Sequence, residues 1–314
     1  MAKSLIKLVL LCVIVSFRAY STEIITIATG SISGLYYPSG GAICRIFNLS
    51  NKSDVKCIVE STPGSTYNMN AIEGGLNNFA FVQANELSEY FKEKKTKEEN
   101  SNIMTVFPLY TEAFNLVVSK NSGIKSVLDL KGKKINIGVE GSGVRTFTST
   151  LIQELGLKST DFLQILSENQ STVENLLCNN TVDASIVVSG HPNKMLQHLT
   201  ENCGAKIIPM TENIIRQIMD KNDFYVAYSI PAGMYAGHAV EIQTVGTKTI
   251  LITSKHTNEE TVYNLVTYIV KNYNSFKQYS PAVQRSSVEY LNSSMPQFPI
   301  HPVVVKAFRE NGIN

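Results

Sequence analysis

Short runs of β-branched and aromatic residues alternate with stretches that carry apolar residues at helical spacing along almost the whole chain. EIITIA (23–28), VKCIVE (55–60), NNFAFVQ (77–83), FNLVVSK (114–120), KKINIGV (133–139), VDASIVVS (182–189) and AKIIPM (205–210) have the length and composition of strands. Between them, Ala42, Ile43, Ile46 and Phe47 make one apolar helical face, and 64–74, 144–155 and 172–178 read as further helices. Gly156 marks a helix stop. Thr257 with Glu260 predicts a capping box at the head of ETVYNLVTYIVKNY. Alternation of this kind means α/β units with parallel strands.

Two extended, turn-rich segments interrupt the alternation: SKNSGIKSVLDLKGKK (119–134) and VEIQTVGTKTILITSK (240–255). They suit a chain that leaves one lobe and later returns. The expected division is lobe one over 22–118 and 244–314, and lobe two over 119–243. A chain of 314 residues is long enough for two such units.

The first residues change where the protein is expected to work. Lys3 and Lys7, then the apolar run LVLLCVIVSF (8–17), then Ala19 and Ser21 form the three-part pattern of a secretory signal peptide over 1–21. The run is short for a membrane span, so a retained anchor is the weaker alternative. Cleavage after Ser21 leaves Cys44, Cys57, Cys178 and Cys203. An even number in an oxidising compartment permits two disulfides in three connectivities. The local pairing 44–57 and 178–203 is preferred here; four reduced, buried cysteines are the alternative. No CxxC and no cysteine–histidine cluster at metal spacing is present, which argues against zinc. The net charge of +2 and the lack of a basic stripe argue against nucleic acid.

In open α/β sheets, ligands bind beyond the carboxyl ends of the strands. The segments found there are TGSISGLYYP, STPGSTYN, ANE, EGSGVR and GHP, mostly rich in Gly and Ser, and several run straight into helices. Helix N-termini offer unpaired N–H groups and partial positive charge, which suit a small anion. Arg145 adds a guanidinium able to hold a carboxylate with two bonds. Enzyme motifs are missing. GSISG carries Ile32 where a nucleophile elbow needs serine, and GVEGSGVR lacks the lysine of a phosphate-binding loop. Of the histidines, His191 is expected near the cleft, and His198 and His256 on the surface. The expectation is binding without turnover and without a cofactor.

Taken together, TIATGSISGLYYPSGGAICRIFN, STPGSTYNMNAIEGG, FAFVQANE, DLKGKKINIGVEGSGVRT and VDASIVVSGHP resemble the TAXI family. These are extracytoplasmic solute receptors of tripartite ATP-independent periplasmic (TRAP) transporters. IPAGMYAGHAVEIQTVGTKTILIT and FPIHPVVVKAFRENGI extend the resemblance over nearly the whole mature chain. It departs from the family pattern at Tyr67–Asn68, at Val144, at Asn85–Glu86 and at Val303–Val304. The resemblance implies an α/β, two-lobed type II periplasmic-binding-protein (Venus flytrap) fold and a monomeric, periplasmic receptor. The implied ligand is a small carboxylate such as glutamate, glutamine or a 2-oxoacid, delivered to TRAP membrane permease subunits. The implied ligand-binding residues are Gly30, Ser31, Tyr36 and Tyr37 from the first loop, and Gly64, Ser65 and Asn68 from the second. Gln83 follows at the third strand's end. Across the cleft they are Ser142, Gly143, Arg145, Ser189, Gly190 and Tyr235. An exported sensor or surface antigen of the same fold, without a transport role, is the alternative.

Overall fold

The computed structural model describes residues 22–93, 101–284, 286–293 and 298–313. The leader expected over 1–21 and most of the charged run 91–100 lie outside them. The chain begins with β1 (Ile24–Ala28), α1 (Tyr36–Ser50), β2 (Lys56–Glu60), α2 (Ser65–Glu73), β3 (Phe79–Gln83) and α3 (Ala84–Glu93). A long strand, β4 (Ile103–Val118), then leads to β5 (Lys134–Asn136), α4 (Gly143–Glu154), β6 (Gln164–Leu166) and α5 (Gln170–Cys178). Next come β7 (Ala184–Ser189), α6 (Lys194–Asn202), β8 (Lys206–Ile208), α7 (Glu212–Met219) and β9 (Tyr225–Ile230). A second long strand, β10 (Ile242–Ser254), returns the chain to α8 (Glu259–Lys271), α9 (Tyr273–Tyr279) and α10 (Pro302–Glu310).

The strands hydrogen-bond in the order β2-β1-β3-β10-β4-β7-β5-β6, with β8 on β4 and β9 on β10. β1 is parallel to β2 and β3, and β5 is parallel to β6 and β7. β10 runs antiparallel to both β3 and β4. The two long strands therefore pair with each other and belong to both halves of the molecule. Along β4, Phe107, Leu109 and Tyr110 pack with α1, α8 and α10, whereas Phe114, Leu116 and Val118 pack with α4 and α7. β10 changes over in the same way, between Val245 and Leu251.

The pattern predicts a strand only from Phe114, yet β4 starts at Ile103. Its first half is disguised by Pro108 and by two register shifts, at which Leu109 and Val106 are extra residues against β10. A proline is tolerated in a sheet at such a bulge. The cap of α8 also differs from expectation. Asn258, not Thr257, accepts from the Thr261 backbone N–H at 3.1 Å, and Thr257 Oγ1 donates to the Asn78 carbonyl at 3.3 Å. Cys44 is bonded to Cys57, tying α1 to β2. Cys178 is bonded to Cys203, joining the C-terminal ends of α5 and α6.

Candidate functional site

Between the two halves lies a cleft lined from both sides. Its first wall is the loop after β1, where Gly30, Ser31, Gly34 and Leu35 lead into α1 at Tyr36. The loop is a turn closed by Gly34 N–H donating to the Ser31 carbonyl at 2.9 Å. Pro63, Gly64 and Ser65 form the second wall, at the head of α2. Gly64 has φ +133°, and a Cβ there would sit 3.5 Å from the Ser142 Cα of the facing wall. Glycine is required because the backbone takes an L-forbidden turn where the other half comes closest.

The facing wall is made by Gly138, Val139, Ser142, Gly143 and Val144, by Asn169 and Gln170, and by Val188. Ser142 caps α4: its Oγ accepts from Arg145 N–H at 3.2 Å and donates to the Val139 carbonyl at 2.7 Å. Asn169 caps α5 by accepting from Ser171 N–H at 3.0 Å. The Gln170 carboxamide pairs with both backbone groups of Val188, at 3.0 Å each, and fixes α5 to the end of β7.

Four helices thus start at the cleft: α1 after Leu35, α2 after Gly64, α4 after Ser142 and α5 after Asn169. Each contributes unpaired N–H groups and the positive end of its dipole. Among the described residues the lining holds no lysine and no arginine. Its one carboxyl group belongs to Glu112 of β4, which is 4% exposed and accepts from Tyr36 OH at 2.7 Å. Burial pushes Glu112 up to about 7, with the Tyr36 bond opposing. Burial first, then the nearby Glu112, keeps the Tyr36 hydroxyl protonated far above its usual range.

Gln83 is buried at the end of β3, and its Oε1 has no partner. A Cβ on Gly143 would fall 1.9 Å from that oxygen. The Gln83 carboxamide therefore occupies the place a side chain at Gly143 would take, bridging the two halves at the start of α4.

Of the residues expected at the site, Gly30, Ser31, Tyr36, Gly64, Ser65, Gln83, Ser142 and Gly143 line the cleft. Tyr37 does not; it is half-buried on the first turn of α1. Asn68 is fully buried behind the loops, donating to the carbonyls of Thr29 and Phe81 at 2.7 Å each and accepting from Thr62 Oγ1 at 2.7 Å. It ties both lobe-one loops to β3. Arg145 is not in the lining; its guanidinium donates to Ser167 Oγ at 2.9 Å and to the carbonyl of the lining residue Gly138 at 3.4 Å. Its place is that of a brace for the loop before α4. Ser189 and Gly190 fall just past Val188, and a Cβ on Gly190 would lie 2.9 Å from Leu35 Cδ1. Tyr235 is buried away from the cleft, accepting from Asn193 N–H at 2.9 Å and bonded to His191 Nδ1 at 2.7 Å. Burial holds His191 down at about 4. Sequence reasoning passed over Leu35, Glu112, Val139, Asn169, Gln170 and Val188. Asn169 ahead of the helical run 172–178 was a readable cap signal. Glu112 sat in the half of β4 the pattern did not reveal.

Two α/β lobes joined by paired long strands, with strand-end loops and helix N-termini facing across a cleft, define the type II periplasmic-binding-protein fold. Solved structures agree in fold. One from Bordetella bronchiseptica RB50 aligns with TM-score 0.53 at 18% identity, covering 91% of this chain and 88% of that one. Tv2483 bound to L-arginine aligns with TM-score 0.53 at 12% identity, covering 87% and 96%. A putative L-cystine ABC transporter from Listeria monocytogenes aligns with TM-score 0.50 at 14% identity, covering 84% and 97%. The profile of the NMT1-like family matches residues 27–312, and the chain belongs to that family.

Proposed function

We propose that this protein is an extracytoplasmic solute receptor of the TAXI kind. In this reading it binds a small carboxylate, of the glutamate, glutamine or 2-oxoacid type, and hands it to a TRAP membrane permease. The observation that carries the reading is the convergence of four helix N-termini on one cleft whose lining, among the described residues, has no cation. Such a site holds anionic oxygens through backbone N–H groups and dipoles. Ser31 and Ser65 add hydroxyls, Gln83 adds a carboxamide, and the Tyr36 ring walls the ligand's stem.

Binding, not turnover, is the mechanism. The ligand bridges loops of both lobes, so it favours the closed arrangement to the extent that its contacts are missing when the lobes part. The lobes are taken as 22–118 with 244–314, and 119–243, with bending inside β4 and β10. The closed surface is what the permease would recognise. The chain is expected to act in the periplasm after cleavage near Ser21, as a monomer.

The test is thermal unfolding of the mature chain, refolded to strip carried ligand, against glutamate, glutamine, 2-oxoglutarate, succinate, pyruvate and sugars. A saturable rise in Tm with one carboxylate supports the reading; at a hundred times Kd the stabilisation is about 2.7 kcal/mol. A rise with a sugar and none of the carboxylates overturns the ligand class. No rise with any compound rejects the receptor reading for this panel.

A further inference from the structure

The fold assembles a group that the spacing of residues conceals. Cys178 ends α5, and Cys203 follows the last residue of α6. His198 lies on α6, and one ligand atom from each of Cys178, His198 and Cys203 lies within 4.8 Å of the others. Glu174, one turn before Cys178 on α5, approaches His198 Nε2 at 3.6 Å. Two sulfurs, an imidazole and a carboxylate from two neighbouring helix ends make a donor set suited to a tetrahedral, borderline-soft cation. Cys44 and Cys57, the other bonded pair, form no such group among the described residues.

We propose that Cys178 and Cys203 have two alternative states: the disulfide, or a zinc site completed by His198 with Glu174 as fourth ligand. Conversion starts with a dithiol reductant. The S–S bond breaks, the pair gains two electrons and two protons, and the dithiol becomes a disulfide. Zinc then replaces the two thiol protons, forming two Zn–S bonds and releasing both protons to solvent. The geometry permits this. Zn–S bonds of about 2.3 Å at tetrahedral angles need sulfurs about 3.8 Å apart. Once the bond is broken, rotation about χ1 lets the two sulfurs separate to that distance. The disulfide offers no thiolate and so excludes the metal. The site is remote from the cleft lining but sits at the opposite end of α5 from Asn169 and Gln170.

The experiment titrates cobalt(II), as a zinc probe, into oxidised and anaerobically reduced full mature chain, followed by competition with zinc. One equivalent should bind the reduced chain only, with a thiolate-to-cobalt band that zinc abolishes. Cys44→Ser with Cys57→Ser should keep the band, and Cys178→Ser with Cys203→Ser should lose it. His198→Gln, an exposed change whose fold is checked by circular dichroism, should weaken cobalt binding at least tenfold. No band in the reduced wild-type chain overturns the proposal. So does an equal band from the Cys178/Cys203 double variant, or unchanged affinity in His198→Gln.

Discussion

Glu86 is a buried carboxyl group between the lobes, with no cation bonded to it among the described residues. It sits in the first turn of α3, 6% exposed. Its Oε2 accepts from Thr66 Oγ1 of α2 at 3.2 Å and from Thr146 Oγ1 of α4 at 3.3 Å, and its Oε1 accepts from Asn85 Nδ2 at 3.3 Å. Burial raises it to about 7, the Thr66 and Thr146 bonds oppose this, and the charges of Glu89 and Glu93 add to it. The ordinary value of such a group is 4.5. Between pH 4.5 and 7 the folded protein therefore keeps a proton that the unfolded chain has released. The folded state binds more protons in that window, so its stability falls as pH rises. The fall from this one group is about 3 kcal/mol, complete near pH 7 and flat above it. Glu86→Gln supplies a neutral isostere that accepts and donates in the same place. Urea unfolding of both proteins from pH 4 to 8 is the assay. The variant should match the wild type near pH 4.5 and exceed it by about 3 kcal/mol at pH 8. Glu112 contributes equally to both curves and cancels. Parallel curves across the range would mean that Glu86 is hydrated or already ionised in the folded protein, and the reasoning would fail.

Gly143→Ala places a carbon on the Gln83 carboxamide and should oppose closure by about 1–3 kcal/mol. Ligand affinity should drop at least fivefold with little change in Tm; an unchanged affinity would mean that the Gln83 carboxamide moves aside at no cost. Arg145→Ala removes bonds to Ser167 and Gly138 and should cost about 1 kcal/mol of stability. Because the guanidinium is engaged by Ser167 and Gly138 and is not itself in the lining, affinity measured calorimetrically should change less than threefold; a hundredfold loss would return Arg145 to the ligand.

The α/β class and most strands were legible because β1, β3 and β7 are continuous apolar runs bounded by turn residues. Such runs keep their meaning in any α/β context. The glycines and serines of the strand-end loops were legible for a related reason: few other residues can start a helix at the point where two backbones meet. Arg145 misled because a sequence shows which group is charged but not which way it turns, and a free carbonyl at Gly138 is as good a neighbour as a ligand. Asn68 misled similarly, since a buried carboxamide that braces loops and one that grips a ligand have the same composition. Glu112 was hidden by the bulges that break the two-residue period of β4. His198 beside the Cys178–Cys203 bond could not be read at all, because it depends on how two helix ends are set side by side.

The paired long strands also dictate the order in which this molecule can be completed. β3 is buried at every position, and its ladder against β10 joins Phe79–Gln83 to Thr249–Thr253. The second lobe is contiguous in the chain, so everything it needs has emerged by the time β10 is threaded out. The first lobe must wait with one flank of FAFVQ uncovered, unable to close until the last quarter of the chain arrives. A nascent chain therefore carries an exposed apolar strand edge until β10 arrives, the kind of unpaired edge through which incomplete chains associate.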